Sequence, residues 1–311
     1  MRILVTGKNG QVGQSIQNIV NKTSNTNMKN YQFVFVGRDE LDLSKVSSIE
    51  AYFEKNKFDV AINCAAYTNV EQAEGDEYDA SLINHLAVKE IATIAKNKNM
   101  KLIHISTDFV FDGNKSKPYI ETDTTSPINI YGKTKLAGEF SAISIMKFNA
   151  VVFRSSWIYS EFGNNFVDTI IRNATLKGQL QIISDQFGTP TYANDLAQTI
   201  INILAEDKFN MPEMPSEIYH YSNEGECSWF DFAKEIVDIL QIDCNLSPIT
   251  SDDYPQLAKR PKYSVLSKKK ISEEFDLSIN DWKDSLKQCL NNLKLSNNKL
   301  YINGKNSYYH S

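Results

Sequence analysis

The stretch "RILVTGKNGQVG" (residues 2–13) decides the fold. A β-branched, apolar run, Arg2 to Thr6, ends abruptly at a glycine, and Gly7, Gly10 and Gly13 follow three apart as a helical pattern opens near residue 11. A strand leading into a helix this way needs a tight turn, a backbone bare enough to approach a pyrophosphate, and a close helix–strand contact. The helix N-terminus adds free amides and positive potential. Three glycines at this spacing meet those needs and predict a dinucleotide site at the first strand–helix turn. Outward from there the rhythm repeats, with strands at 32–36, 60–63, 101–106 and 150–154 and helical patterns near 11–22, 46–56, 78–98 and 128–146. The strands are too apolar to leave a wet face, so a parallel sheet covered by helices on both sides is expected.

Residues 1–155 are therefore expected to form a doubly wound, parallel Rossmann-type α/β domain. After residue 155 the alternation loosens: a helix near 164–177, a strand near 180–184, a helix near 194–205, a strand at 217–222 and a helix opening at Ser228. Residues 156–295 read as a smaller α/β C-terminal substrate lobe sharing segments with the first. "NKTSNTNMKN" (21–30) reads as a solvated linker and residues 296–311 as a polar tail. With 311 residues, 41% of them hydrophobic, the chain suits one large α/β unit or two domains sharing an interface. A net charge of -5 argues against a nucleic-acid binder, which needs clustered cations. The wide, irregular spacing of Cys64, Cys227, Cys244 and Cys289 suggests reduced thiols in a cytoplasm, and the histidines show no metal-binding spacing, so no metal is expected. No apolar run approaches the length of a membrane span.

The second strand ends in "GRDELDL", and a cation there favours the 2′-phosphate of NADP, so Arg38 points to NADPH, with NADH as the alternative. Asp42 and Leu43 fall where the adenine would lie. In "IYGKTKLAG" (130–138), Tyr131 and Lys135 stand four apart on one helix face, bringing a phenol close to an ammonium. That ammonium, together with an oxidised nicotinamide, lowers a phenol's pKa. Tyr131 would give a proton to a carbonyl oxygen as hydride arrives, and Lys135 would tune it and bond the nicotinamide ribose. Ligands gather at the carboxyl ends of parallel strands, where "ISTDF" brings out Ser106, Thr107 and Asp108. Thr107 can share a hydrogen bond with the phenol and the substrate oxygen. Asn84, on the helix between the third and fourth strands, either holds a water in a proton relay or caps its own backbone.

Together, GxxGxxG, the helical asparagine, the threonine after strand four and YxxxK resemble the extended short-chain dehydrogenase/reductases. More narrowly, "NCAAYTNVEQAE", "STDFVFDG", "SPINIYGKTKLAGE", "RSSWIY", "GNNF", "SDQFGTPT" and "KRPKYSVL" resemble the dTDP-4-dehydrorhamnose reductase family, in order from about residue 1 to 290. The resemblance implies NADPH-dependent reduction of a nucleotide-sugar C4 ketone, giving dTDP-L-rhamnose, by a monomer or homodimer. It implies that Gly7, Gly10, Gln11, Val12 and Gly13 hold the pyrophosphate, that Ala65, Ala66 and Tyr67 line the cofactor, and that Thr107, Tyr131 and Lys135 carry catalysis. It also implies that Asp108, Trp157, Asn165 and Arg260 meet the sugar nucleotide. Where some members hold magnesium with a glutamate after the third glycine, this chain has Gln14 and Ser15. Three other readings share the scaffold. A dehydratase would need a second carboxylate after Asp108, where Phe109 stands. A silent NADP-binding regulatory subunit would show a broken Thr–Tyr–Lys set. A reductase giving the C4 epimer, 6-deoxytalose, would differ only in the sugar face presented.

Overall fold

The computed structural model describes residues 1–22 and 30–296, so most of the expected linker and the expected tail beyond Ser296 lie outside the described residues. Five strands, β1 (Arg2–Thr6), β2 (Gln32–Val36), β3 (Val60–Asn63), β4 (Lys101–Thr107) and β5 (Ala150–Ser155), form an all-parallel sheet with a sixth, Glu217–Tyr221. The order is β2-β1-β3-β4-β5 and then Glu217–Tyr221. Its last strand thus comes from beyond residue 155. Strand order reverses between β1 and β3, which opens a crevice at their carboxyl ends.

Residue alternation explains the layers. Ile3, Val5, Ile62, Ile103, Val151 and Phe153 face one way and pack under α1 (Gln11–Lys22) and the later helix Ala193–Ala205. Leu4, Ala61, Leu102 and Val152 face the other way. They meet α2 (Val46–Lys55) and the helices Ala87–Asn97 and Ile130–Met146. Each fully buried side chain of this size contributes about 1.5–3 kcal/mol, so a sheet covered on both faces is strongly favoured. β2, at the edge, is only partly covered.

The expected helix over 78–98 is present with a fault in it: α4 (Glu77–Ser81) runs through a π-helical turn, Leu82–Leu86, into α5 (Ala87–Asn97). Before it lies the short α3 (Val70–Ala73), and after β4 comes α6 (Ile130–Met146), whose N-cap is Asn129. A third core gathers Tyr159, Val167, Ile170, Tyr192, Phe232, Ile236, Trp282 and Leu286 around α7 (Phe166–Lys177) and the helix Trp229–Leu240. The latter opens with a capping box: the Ser228 side chain accepts from Asp231 N at 3.1 Å, and Asp231 accepts from Ser228 N at 2.9 Å. Such a cap contributes about 1 kcal/mol. No described helix is long and apolar enough to cross a membrane.

Candidate active site

The glycine turn explains itself by distance. Gly7 has φ +70°, and a Cβ there would stand 2.8 Å from Ala65 N, so the end of β1 lies directly against the end of β3. A Cβ on Gly13 would stand 2.2 Å from the Gly7 carbonyl oxygen, which locks helix to turn. These contacts frame a cleft of about 520 Å³ lined by Gly7, Gly10, Gln11, Val12, Arg38, Asp42, Leu43, Ala65, Ala66, Tyr131 and Lys135. A bare backbone loop at a helix N-terminus, with a cation at the end of the second strand, fits a phosphorylated dinucleotide.

Arg38 is exposed and sits 3.7 Å from Asp42. Asp42 also accepts from Ser44 N and Ser44 Oγ, which hold its carboxyl below the usual range. Tyr67 is expected to line this cleft but does not. Its backbone N–H donates to Asn84 Oδ1 at 2.9 Å, its carbonyl accepts from Asn84 Nδ2 at 3.0 Å, and its hydroxyl lies 3.4 Å from Asp76. Asn84 thus caps a neighbouring loop rather than its own backbone, and its Nδ2 also reaches Thr134 on α6 at 3.2 Å. The π turn packs directly against α6 where Gly138 leaves space: a Cβ on Gly138 would stand 2.1 Å from the Asn84 carbonyl oxygen.

A second, larger groove of about 1030 Å³ runs from Thr107 and Asp108 past Trp157 and Trp229 to Lys177, with Tyr254 and Arg260 on its wall. The two spaces meet at Gln11, Thr68, Ser106, Tyr131 and Ile158, which line both. Tyr131 is half-buried in the wall the two spaces share, and desolvation pushes its phenol up to about 12, with the Thr107 hydroxyl working against that shift and the Asp108 charge adding to it. The expected lowering by Lys135 does not appear among the influences on this phenol, and desolvation dominates. Burial likewise brings Lys135 down to about 8, opposed by Glu139 and Cys64. Its Nζ donates to the Ile105 carbonyl at 2.6 Å.

Beneath the pair lies a buried network that the motif reading passed over. Glu139 is one further helical turn along from Lys135. It accepts from Ser106 Oγ at 2.5 Å and from Arg154 Nη2 at 2.8 Å. The spacing Tyr131, Lys135, Glu139 was the available signal, since residues four apart share a face. Asp108 is also buried, which pushes its carboxyl up to about 7. Thr107 Oγ1 donates to its Oδ1 at 3.1 Å, and the Ser264 and Thr107 hydroxyls work against that rise.

The other substrate-side residues divide. Trp157 lines the groove with a left-handed backbone, φ +46°, and one face of its indole is covered by Trp229, with ring centroids 3.5 Å apart. A Cβ on Gly188 would come within 2.6 Å of that indole. Strain in a non-glycine residue persists only where packing over-determines it. Trp229 carried no signal beyond its place at a helix start. Asn165 lies outside the groove lining: its Oδ1 caps α7 by accepting from Val167 N and Asp168 N, and its Nδ2 donates to the Ser160 carbonyl at 2.8 Å. An N-cap and a ligand contact compete for the same amide, and here the helix takes it.

The geometry agrees with the comparisons. Residues 1–295 match the family model described as RmlD substrate binding domain. A dTDP-4-dehydrorhamnose reductase of Aggregatibacter actinomycetemcomitans is 37% identical over 292 residues, 92% of this chain and 97% of that one. Among solved structures, a dTDP-4-dehydrorhamnose reductase from Clostridium acetobutylicum superposes with a TM-score of 0.87 at 36% identity, covering 94% of this chain and all 100% of the other. One from Bacillus anthracis, in complex with NADP, gives 0.85 at 32% identity, covering 94% and 99%. With a glycine turn, a Thr–Tyr–Lys set at the meeting of two clefts and likeness along nearly its whole described length, the chain belongs to the dTDP-4-dehydrorhamnose reductase family.

Proposed function

We propose that the protein reduces the C4 ketone of dTDP-4-dehydro-L-rhamnose with NADPH, giving dTDP-L-rhamnose, a precursor of envelope polysaccharide. The observation that carries this reading is the position of Tyr131, which lines both the cofactor cleft and the groove wide enough for a nucleotide sugar. Residues 1–155 supply most of the cofactor cleft, which Ile158, Gly163 and Asn164 complete, and residues 156–295 supply the far groove wall through Trp157, Lys177, Trp229 and Arg260.

Bound NADPH supplies the hydride. The protein supplies the proton and the alignment. A phenol held near 12 stays protonated at neutral pH, so Tyr131 is ready to donate its proton to the carbonyl oxygen as that oxygen gains charge. Thr107, beside it, has a single O–H, which donates to Asp108 Oδ1 and reaches the same oxygen by rotating away from that carboxyl. Lys135 has three N–H donors and uses one on the Ile105 carbonyl, which fixes the ammonium under the cofactor cleft and leaves donors for a ribose hydroxyl. The Glu139 carboxylate favours the charged form of that lysine. Arg260 offers a planar fork to the diphosphate. Dehydration finds no second carboxylate after Asp108, since Phe109 follows.

The test is absorbance at the reduced-nicotinamide band with dTDP-4-dehydro-L-rhamnose and either cofactor, then identification of the sugar. Oxidation that yields dTDP-L-rhamnose, faster with NADPH than NADH, is expected. Tight NADPH binding without turnover would move the reading to a regulatory subunit, and a 6-deoxytalose product would reverse the sugar face.

A further inference from the structure

Arg260 does not hold its own position. Its segment, Leu257–Arg260, is grasped from two directions by residues far away in sequence. Glu71, on α3, takes three donors from it: Oε1 accepts from Arg260 Nη2 at 2.9 Å, while Oε2 accepts from Leu257 N at 2.8 Å and Ala258 N at 3.4 Å. From the other side, Asn129 Nδ2 donates to the Lys259 carbonyl at 2.8 Å. The same asparagine caps the catalytic helix, its Oδ1 accepting from Gly132 N at 2.7 Å. Glu74, also near α3, accepts from Ile130 N at 2.9 Å. One short acidic turn therefore ties the groove wall and the start of the Tyr131 helix to each other. The segment alternates accordingly: Leu257 is 80% exposed, whereas Ala258 is fully buried.

We propose that Glu71 is a positioning residue for nucleotide-sugar binding, clasping Leu257–Arg260 so that the Arg260 guanidinium is already aimed at the groove before ligand arrives. This rests on the reading that Arg260 meets the diphosphate. A guanidinium has five donors, and Glu71 occupies one nitrogen, so the fork still has donors for phosphate oxygens. Ordering a long side chain and the backbone that carries it is a cost that binding otherwise meets, and the clasp removes it in advance. The carboxylate also competes electrostatically with a phosphate. With two backbone amides and the guanidinium all losing their acceptor, however, loss of order outweighs the relief of competition.

The test uses dTDP as the probe, titrated calorimetrically into the NADP-saturated full chain. Glu71→Ala is expected to weaken dTDP by about tenfold, with NADPH affinity within about twofold of the parent. Glu71→Gln, which keeps an acceptor for the amides, should recover most of that loss. Arg260→Ala should weaken dTDP to a similar extent, and the double variant Glu71→Ala/Arg260→Ala should be little worse than Arg260→Ala alone, as two groups acting through one contact are non-additive. Unchanged or tighter dTDP binding in Glu71→Ala, with Arg260→Ala still weak, overturns the clasp and leaves the diphosphate reading standing. No effect of Arg260→Ala overturns both. Should Glu71→Ala not fold, amide exchange in the unmodified protein decides: slow exchange at Leu257 and Ala258 is expected, and exchange as fast as in an open loop removes the clasp.

Discussion

The cofactor cleft and the substrate groove share a wall at Tyr131 but are built on different principles. The cofactor cleft is closed where main chain meets main chain at the ends of β1 and β3, and its tolerances there are set by main-chain atoms, as the Gly7–Ala65 and Gly13–Gly7 contacts show. The substrate groove is lined by residues drawn from as far apart as Gln11 and Arg260, held by caps, a stacked tryptophan pair and a carboxylate clasp. A backbone site is specified locally and yields little. A side-chain site is specified by packing and can be adjusted without disturbing the fold.

That contrast can be broken or sharpened experimentally. The largest effect is expected at the shared wall: Tyr131→Phe should lower kcat by about 10²–10⁴ with NADPH affinity nearly unchanged, as for loss of a general acid. Near-parental turnover would place the proton source elsewhere. Next is Gly13→Ala, whose Cβ would fall 2.2 Å from the Gly7 carbonyl oxygen; neither group can rotate away. Overpacking of this kind costs about 1–3 kcal/mol, so NADPH affinity measured by fluorescence titration should drop about tenfold or more. Gly188→Ala probes the same clash on the other side, with the Trp157 indole at 2.6 Å. Because a side chain can shift, a several-fold rise in KM for the nucleotide sugar is expected, with the KM for NADPH unmoved. A comparable loss of NADPH affinity in both glycine variants would erase the distinction.

The smallest effect concerns stability. Burial holds Asp108 at about 7 in the folded protein, above its ordinary 3.8. Between those values the folded state keeps a proton that the unfolded chain gives up, so this group's contribution to stability is present at low pH and lost as pH rises through about 7. Asp108→Asn does not titrate, and its gain in Tm over the parent should be about 2–4 °C larger at pH 8 than at pH 5 by calorimetry. Equal gains at the two pH values would show that the carboxylate is stabilised by partners after all.

The sequence by itself determined the first five strands of the sheet, the glycine turn and the Tyr131–Lys135 pair. In each of these the relevant residues are neighbours along the chain, and a period of two, three or four converts directly into a shared face or a turn. It also placed Thr107 and Asp108, because strand ends in a parallel sheet are where ligands gather. Only the tertiary structure decided the rest. Glu217–Tyr221 completes the large sheet although it follows the later segments, since an edge strand accepts whichever partner the chain brings to it. Asn165 became a helix cap and Tyr67 an anchored loop residue, because a single amide or backbone pair serves the nearest partner that packing presents. Glu139 under Lys135, Trp229 against Trp157 and Glu71 on Arg260 meet through packing. The last spans 189 residues, and no local spacing encodes a contact whose distance is closed by the fold of everything between.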